Sequence, residues 1–232
     1  MYKDETLRAL FIKAHDVKHH FESLNENDMH VSISCGNSKI GKVMNVSMMP
    51  GFSCRNCKNC LHLCYDIKAD FRYVGTLYAR VKNFVIAKKF RNKYFAEIRQ
   101  RISRRRTNKY FRWHVAGDMI DYEYFAETVK IALEFPEFVF WTYTKMYSFV
   151  NRYVAENGID SIPGNYHIMF SKWDGMPMDN PYNFPVFACR LKDGNVDEMP
   201  WHEMFKCPGN CDICKRENCG CIAGMNTYAD EH

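Results

Sequence analysis

The sequence predicts an α/β protein whose parallel sheet is either a partial (βα) barrel or an open sheet with helices on one side, plus a small cysteine-rich metal-binding C-terminal tail. Strand-like and helix-like segments alternate from residue 31 to residue 200, as in folds built from right-handed crossovers. The 232 residues are too few for a complete barrel of about 250 once both ends are set aside. Polar residues also recur at alternate strand positions, which indicates that one sheet face lines a cavity.

The predicted elements follow in a regular order along the chain. Residues 1–30 form an N-terminal unit, in which apolar residues at helical spacing predict a helix over 5–22. Two short strands between 31 and 48 lead into a cysteine-rich loop over 50–65, and one long basic helix is expected over 76–105. The partial barrel over 31–200 is completed by strands over 111–116, 138–144, 166–171 and 186–190 and by helices over 122–134 and 146–156, and the tail covers 201–232.

The strand alternation indicates which residues face a substrate. In the strand over 111–116, Phe111 and Trp113 belong to the bulky apolar set, whereas Arg112 and His114 belong to the polar set. Other strands repeat this alternation with Asn45, Ser47, Tyr143, Lys145, His167 and Ser171. We expect Arg112, His114 and Lys145 to face a substrate; the alternative is a buried polar network without a catalytic role.

The composition favours a cytoplasmic protein with metal-bound thiols. No stretch approaches the roughly 20 apolar residues of a membrane span, and the first residues form an amphipathic helix instead of a signal peptide. Eleven cysteines in a reducing compartment favour thiolate–metal bonds, and their odd number fits a complete disulfide framework poorly. A secreted disulfide-linked domain is the less favoured alternative.

Four cysteines crowd the loop after the second short strand, in the pattern Cys54-x2-Cys57-x2-Cys60-x3-Cys64. Bacterial ferredoxins hold iron–sulfur clusters with this spacing, with proline where this chain has Tyr65. Zinc is the alternative, because Cys-x2-Cys pairs also build tetrahedral zinc sites. The position of the loop after a strand of the α/β pattern favours an iron–sulfur cluster of the 4Fe–4S type.

A second run of cysteines in the tail predicts another metal site. It consists of Cys207, Cys211, Cys214, Cys219 and Cys221, with His232 as a further donor. No barrel can be built after this run, so it indicates either a closed structural zinc site or an auxiliary cluster, and zinc is favoured.

Asp118 ends a predicted strand, at the edge where α/β proteins engage ligands and metals. The alternative is that Asp118 or Asp121 caps the following helix. A less favoured hypothesis is a two-metal nuclease that uses Asp118, Asp121 and Asp174.

Basic residues dominate the segment over 88–112, where eleven lysines and arginines are opposed in the sequence only by Glu97. Such a local excess attracts phosphate, so the segment is a candidate nucleic-acid contact through Arg101, Arg104, Arg105 and Arg106. The alternative is an ordinary solvated helix face.

Several motifs together resemble the phage "gene product 88" family over about residues 30–232. They are Pro50-Gly51-Phe52-Ser53-Cys54 with Leu63-Cys64-Tyr65, then Phe111-Arg112-x-His114-x-Ala116-Gly117-Asp118, then Tyr143-Thr144-Lys145, and finally the cysteine-rich tail. The resemblance implies a phage-encoded protein of the host cell cytoplasm and no particular activity.

A more distant resemblance is to the radical S-adenosylmethionine (radical SAM) iron–sulfur superfamily. Its partial barrels carry three cysteines after the first strand, the last followed by an aromatic residue, as in Cys64-Tyr65, and an acid-ended strand like the one at Gly117-Asp118. The resemblance implies that Tyr65, Gly117 and Asp118 contact S-adenosylmethionine. The spacing departs from the Cys-x3-Cys-x2-Cys of that superfamily, and the doubtful ligand is Cys57. If it is not a ligand, one iron stays open for an exchangeable group.

The first functional hypothesis is an iron–sulfur protein, in the form of a radical SAM-like enzyme that acts on a nucleic-acid-associated substrate. The alternative is a non-enzymatic nucleic-acid-binding module stapled by two zinc sites. The sequence carries no signal for the oligomeric state.

Overall fold

The computed structural model describes residues 3–37, 40–57 and 60–231. Its strands are β1 (Ile33–Ser34), β2 (Met44–Val46), β3 (Tyr110–Trp113), β4 (Val139–Thr144), β5 (Tyr166–Lys172), β6 (Val186–Arg190), β7 (Phe205–Lys206) and β8 (Thr227–Asp230). Its α-helices are α1 (Asp4–Glu22), α2 (Ile67–Arg72), α3 (Val74–Lys89), α4 (Arg91–Ser103), α5 (Tyr122–Glu134), α6 (Tyr147–Asn157) and α7 (Cys211–Glu217). Within these ranges, no helix is both long and apolar enough to cross a membrane.

The strands of the described residues form one open sheet in the order β1-β2-β3-β4-β5-β6-β8-β7. β1 is antiparallel to β2, and every other pair of neighbours is parallel. The terminal strands β1 and β7 each have a single neighbour. The predicted open, parallel α/β sheet is therefore confirmed.

The two faces of the sheet are covered by different parts of the chain. From β2 to β6 each strand lies beside the next one in sequence, so right-handed crossovers place their helices on one face. On that face Phe111, Trp113 and Phe140 join the main core with α1 and α3–α6. On the opposite face Trp141 and Met169 pack against the tail, including its helix α7. The tail therefore closes the face that the helices leave open.

Strand register confirms the polar alternation predicted from the sequence. Asn45 lies opposite Arg112, Arg112 opposite Trp141, and Trp141 opposite His167. These side chains form one row on the face that the tail covers, because residues in register share a sheet face. The row leads to the cavity described below.

Some predicted elements have different bounds in the structure. The single helix expected over 76–105 is two helices, because Phe90 leaves helical geometry with φ −131° and ψ 54°. The strand expected over 111–116 ends at Trp113, because His114 adopts the left-handed φ of 54°. The tail supplies β7 and β8, and β8 pairs with β6 as a further parallel strand, which the sequence did not predict.

Candidate functional site

A cavity of about 350 Å³ lies at the carboxyl ends of the parallel strands, between the cysteine-rich loop and the tail. Both cysteine runs line it, with Cys54, Cys57, Cys60 and Cys64 from the loop and Cys207, Cys211, Cys214 and Cys221 from the tail. All eleven cysteines of the chain are free thiols. The fold thus brings two runs that are far apart in the sequence to one cavity.

The cysteine-rich loop is held against the ends of β3 and β4 by short polar contacts. The Ser53 hydroxyl accepts a hydrogen bond from the Asp118 backbone N–H at 3.1 Å and donates one to the Met49 carbonyl at 3.2 Å. The Asn56 side-chain amide donates to the Lys145 carbonyl at 2.9 Å. The loop is therefore positioned by the segments that follow two neighbouring strands.

Asp118 ties the end of β3 to the end of β4. One carboxylate oxygen accepts hydrogen bonds from the Met119 N–H and the Thr144 hydroxyl, both at 2.7 Å, and the other accepts one from the Lys145 N–H at 2.8 Å. Burial raises the pKa of Asp118, and these hydrogen bonds oppose that rise. Asp118 lines the cavity, but three donors already engage its carboxylate, so its predicted contact with a cofactor stays a prediction.

The other two carboxylates of the nuclease hypothesis have separate local partners. Asp121 caps α5 by accepting a hydrogen bond from the Tyr124 N–H at 2.9 Å, and it pairs with Arg91 at 2.5 Å. Asp174 accepts a hydrogen bond from the Asp197 N–H at 2.9 Å. The capping role foreseen for Asp121 is therefore confirmed.

The thiols share one cavity but do not form a preformed metal site. No group of three or more Cys, His, Asp or Glu side chains in the described ranges is arranged to hold a metal ion. His232 lies outside the described residues. Cys219, the tail cysteine absent from the cavity lining, makes a side-chain contact with Cys214. Binding of a metal would therefore require the thiols to move closer together.

Burial favours the protonated form of four cavity thiols, Cys54, Cys64, Cys214 and Cys221. It raises the pKa of Cys54 far above the usual thiol value and that of Cys64 to about 12, and the nearby carboxylates Asp118 and Asp66 add to these rises. Burial also raises the pKa of Cys214 to about 12 and, in the tail beside Tyr143, that of Cys221 to about 11. Thiols in such surroundings ionise only when positive charge compensates the thiolate.

Two partly buried cations lie beside the two cysteine runs. Lys145 follows β4 and is close to Cys54, Cys60 and Cys64 of the loop. Arg112 of β3 is close to Cys211 and Cys221 of the tail, with its guanidinium 4.5 Å from the centre of the Tyr143 ring. In the part of the chain that the structure describes, neither cation forms an ion pair with a carboxylate, and the Arg112 Nε has no hydrogen-bond partner.

Burial and neighbouring groups shift the pKa values of both cations in opposite directions. Burial alone would lower the pKa of Lys145, but the negative charge of Cys60 as a thiolate and of the Asp118 carboxylate raises it above the usual lysine value. Burial would likewise lower the pKa of Arg112, but negative charge on Tyr143, on the tail thiols and on Asp66 raises it when these groups are ionised. Both side chains are therefore positively charged at neutral pH, and both face sulfur.

His114 belongs to a buried chain of polar rings. Its Nε2 lies 3.0 Å from the Tyr124 hydroxyl, which in turn lies 3.0 Å from the Tyr94 hydroxyl. Burial, with a further contribution from Arg112, lowers the pKa of His114 to about 3, so the ring is neutral at pH 7. His114 also lines the cavity, and its contact with a substrate stays a prediction.

The basic segment over 88–112 is neutralised in part by acids from other elements. Arg99 pairs with Glu127 at 3.1 Å and with Glu134 at 2.6 Å, both on α5. Together with the pair of Arg91 and Asp121, these contacts tie α4 to α5 and its cap. Arg101 donates to the Cys35 sulfur at 3.6 Å. In the described ranges none of the four predicted nucleic-acid contacts forms an ion pair, and three of them, Arg104, Arg105 and Arg106, directly follow the end of α4.

Trp141 and Cys189 are among the cavity residues that the sequence did not predict. Trp141 of β4 is fully buried, and its indole N–H has no hydrogen-bond partner among the described residues. Cys189 of β6 adds a thiol from outside both cysteine runs. The alternation of side chains along a strand could have indicated both, since Trp141 lies on the same sheet face as Tyr143, and Cys189 on the same face as Phe187.

The fold and the cavity together define a singly wound α/β protein with thiols at the carboxyl edge of its sheet. The family model of Gene product 88 matches residues 22–181. The chain therefore belongs to the Gene product 88 family, in agreement with the resemblance of its motifs. No curated protein and no solved structure matches it. The more distant radical SAM resemblance stays a prediction.

Proposed function

We propose that the protein binds an iron–sulfur cluster through its cysteine-rich loop and acts as a radical SAM-like enzyme on a nucleic-acid-associated substrate. The observation that carries the proposal is the pairing of each cysteine run with a partly buried cation at one cavity. Removing a cation even partly from water without giving it an ion pair is costly, and a cluster or metal held by several thiolates carries net negative charge. The donors and the cations therefore fit each other.

The residues divide into two sets around the cavity. Cys54, Cys60 and Cys64 would hold the cluster, with Cys57 as a fourth donor or a free thiol, and Lys145 would compensate its charge. The five tail cysteines would hold a second metal, zinc or an auxiliary cluster, beside Arg112. When three thiolates hold a 4Fe–4S cluster, the open iron supplies one-electron chemistry to an exchangeable ligand. The tail covers this face of the sheet and would exclude water from the reacting group.

Metal content after strictly anaerobic purification tests the proposal. We expect a brown protein with about four irons and matching sulfide at the loop, as a 4Fe–4S cluster requires. Cys64→Ser should lose most of this iron and the visible absorption. Cys35→Ser is the matched control and should keep both, because Cys35 is exposed and lies outside the cavity. A colourless protein that holds only zinc after anaerobic reconstitution would rule the cluster out.

A second candidate function is the zinc-stapled nucleic-acid-binding module. It is favoured by one observation, that Arg104, Arg105 and Arg106 stand together without ion pairs in the described residues. Changing all three to glutamine should lower the slope of log affinity against log salt for duplex DNA by about 2.7, roughly 0.9 for each phosphate that is no longer neutralised. The control changes the exposed Arg8, Lys13 and Lys192 instead, with the same loss of charge. An equal effect of the two variants would contradict a specific contact.

A further inference from the structure

Exposed aromatic residues concentrate at the corner between α2 and α3, next to the cavity. Eleven large apolar side chains are exposed in the described residues, and five of them fall between residues 65 and 78. They are Tyr65, Phe71, Tyr73, Val74 and Tyr78, with exposures of 38%, 38%, 57%, 52% and 41%. Single exposed apolar residues are ordinary, but a cluster of this kind marks a binding surface. We refer to these five residues as the aromatic corner.

The exposed charged side chains between residues 65 and 78 are all positive. Asp66 and Asp70 both pair with Arg80 at 3.0 Å, in contacts that are largely buried. Lys68 and Arg72, one turn apart on α2, are exposed and have no ion pair in the part of the chain described. The exposed side chains of the segment are therefore apolar, mostly aromatic, or positive, and its acids pair with Arg80 in largely buried contacts.

The aromatic corner is continuous with the cavity. Tyr65 of the corner and the neighbouring Lys68 also line the cavity wall. Val74 and Tyr78 share one face of α3, and Tyr73 stands at the junction of the two helices. A ligand that lies on the corner can thus place one group among the thiols, Arg112 and Lys145, in a cavity of a size that suits a small ligand.

We infer that the aromatic corner binds single-stranded nucleic acid and presents one nucleotide of it to the cavity. Bases stack on exposed aromatic rings and phosphates pair with neighbouring cations, and both rings and cations are present here, with no exposed acid between residues 65 and 78. A single strand suits this surface better than a duplex, whose bases are stacked on one another and hidden from protein rings. The inference rests on the proposed function for the reaction in the cavity, but the binding itself requires no metal.

Binding of fluorescein-labelled oligonucleotides of about 12 nucleotides tests this inference. We expect the variant with Tyr73→Ala and Tyr78→Ala to bind single-stranded DNA or RNA at least about tenfold more weakly, because stacking contributes about 1–3 kcal/mol per base. The variant with Tyr73→Phe and Tyr78→Phe should bind as the native chain does, since it keeps both ring faces. The control is Ile12→Ala with Ile159→Ala, two exposed apolar residues outside the corner, and should also bind normally.

Charge and metal are tested separately. Lys68→Gln with Arg72→Gln should lower the salt slope for single strands by about 1.4, roughly 0.7 for each phosphate contact. The Cys64→Ser variant should still bind the oligonucleotide, so a failure of the cluster and a failure of this inference are distinguishable. The inference is overturned if single strands do not bind, if the two alanines leave binding unchanged, or if only the glutamines at 104–106 weaken it. Duplex binding as tight as single-strand binding would overturn it too.

Discussion

Replacing Gly117 with alanine should destabilise the protein by about 2–6 kcal/mol, a large share of the roughly 5–15 kcal/mol that stabilises a domain. Gly117 has a φ of +87°, where a side chain is strained. A Cβ at this position would also lie 2.6 Å from the Ser53 hydroxyl oxygen and 2.9 Å from the Met48 carbonyl oxygen. The backbone oxygen cannot swing away, so the strand ends would have to separate. Denaturant unfolding followed by circular dichroism measures the loss.

The matched control is Gly194→Ala. Gly194 has nearly the same φ, +86°, but a Cβ there would meet no heavy atom within 4 Å. It should therefore cost only the backbone strain, about 1–2 kcal/mol. If Gly117→Ala lowers the free energy of unfolding by no more than Gly194→Ala does, the close packing of the loop on the strand ends is contradicted.

A second change in the same chain separates the two clashes. Ser53→Ala removes the hydroxyl oxygen nearest to the new Cβ, but it leaves the Met48 carbonyl in place. Combined with Gly117→Ala, it should restore only part of the lost stability. Ser53 also accepts the hydrogen bond from the Asp118 N–H, so its removal has a cost of its own, about 1 kcal/mol. A double-mutant cycle isolates the coupling between the two positions.

The regular part of the fold follows from local patterns in the sequence. The helix over 122–134 has the predicted bounds, because Asp121 caps it and its apolar residues repeat at helical spacing. The strand over 186–190 also has its predicted bounds, and the polar alternation assigned Arg112 and Asn45 to one sheet face. Short-range spacing determines these features, so the sequence alone reveals them.

The features that were missed depend on contacts between distant residues. Phe90 breaks the long helix without a proline or glycine to signal it. The pairing of β8 with β6 joins segments that are not consecutive, and local patterns do not specify such pairings. The partners of Arg99 lie on α5, so counting charges along the segment overestimated its free positive charge.

In the candidate site, too, local spacing revealed some features, and others depended on contacts between distant residues. Spacing identified both cysteine runs as a chemical feature, and it could not show that they share a cavity. The alternation assigned Arg112 and Lys145 to a functional face, but their position beside sulfur depends on how the loop and the tail fold over the sheet. The aromatic corner gives no periodic signal, since its exposed rings come from the loop before α2, from α2, from the junction and from the first turns of α3, and exposed residues do not contribute to the buried stripe that spacing reveals.

Acid should destabilise the protein through His114, and an asparagine at this position should remove that effect. Burial lowers the pKa of the folded-state ring to about 3, whereas an unfolded histidine titrates near 6.5. Between these values the unfolded chain binds a proton that the folded chain does not, so the free energy of unfolding falls as the pH falls through this window. The full loss by pH 3 is about 4–5 kcal/mol, at 1.36 kcal/mol for each pH unit.

His114→Asn suits this test because asparagine tolerates the left-handed φ of 54° that this position requires. The variant starts from a lower stability, since it leaves the Tyr124 hydroxyl without the imidazole, so the slopes against pH are compared and not the absolute values. Asp70 acts with the opposite sign: burial raises its pKa to about 6, and the stability that its proton provides is lost as the pH rises toward that value. Because Asp70 is present in both the native chain and His114→Asn, its contribution cancels when their slopes against pH are compared. His20→Asn, at an exposed histidine of α1, is the control and should keep the native slope. If the native chain and His114→Asn lose stability in parallel between pH 6.5 and pH 4, the buried ring is not the group responsible.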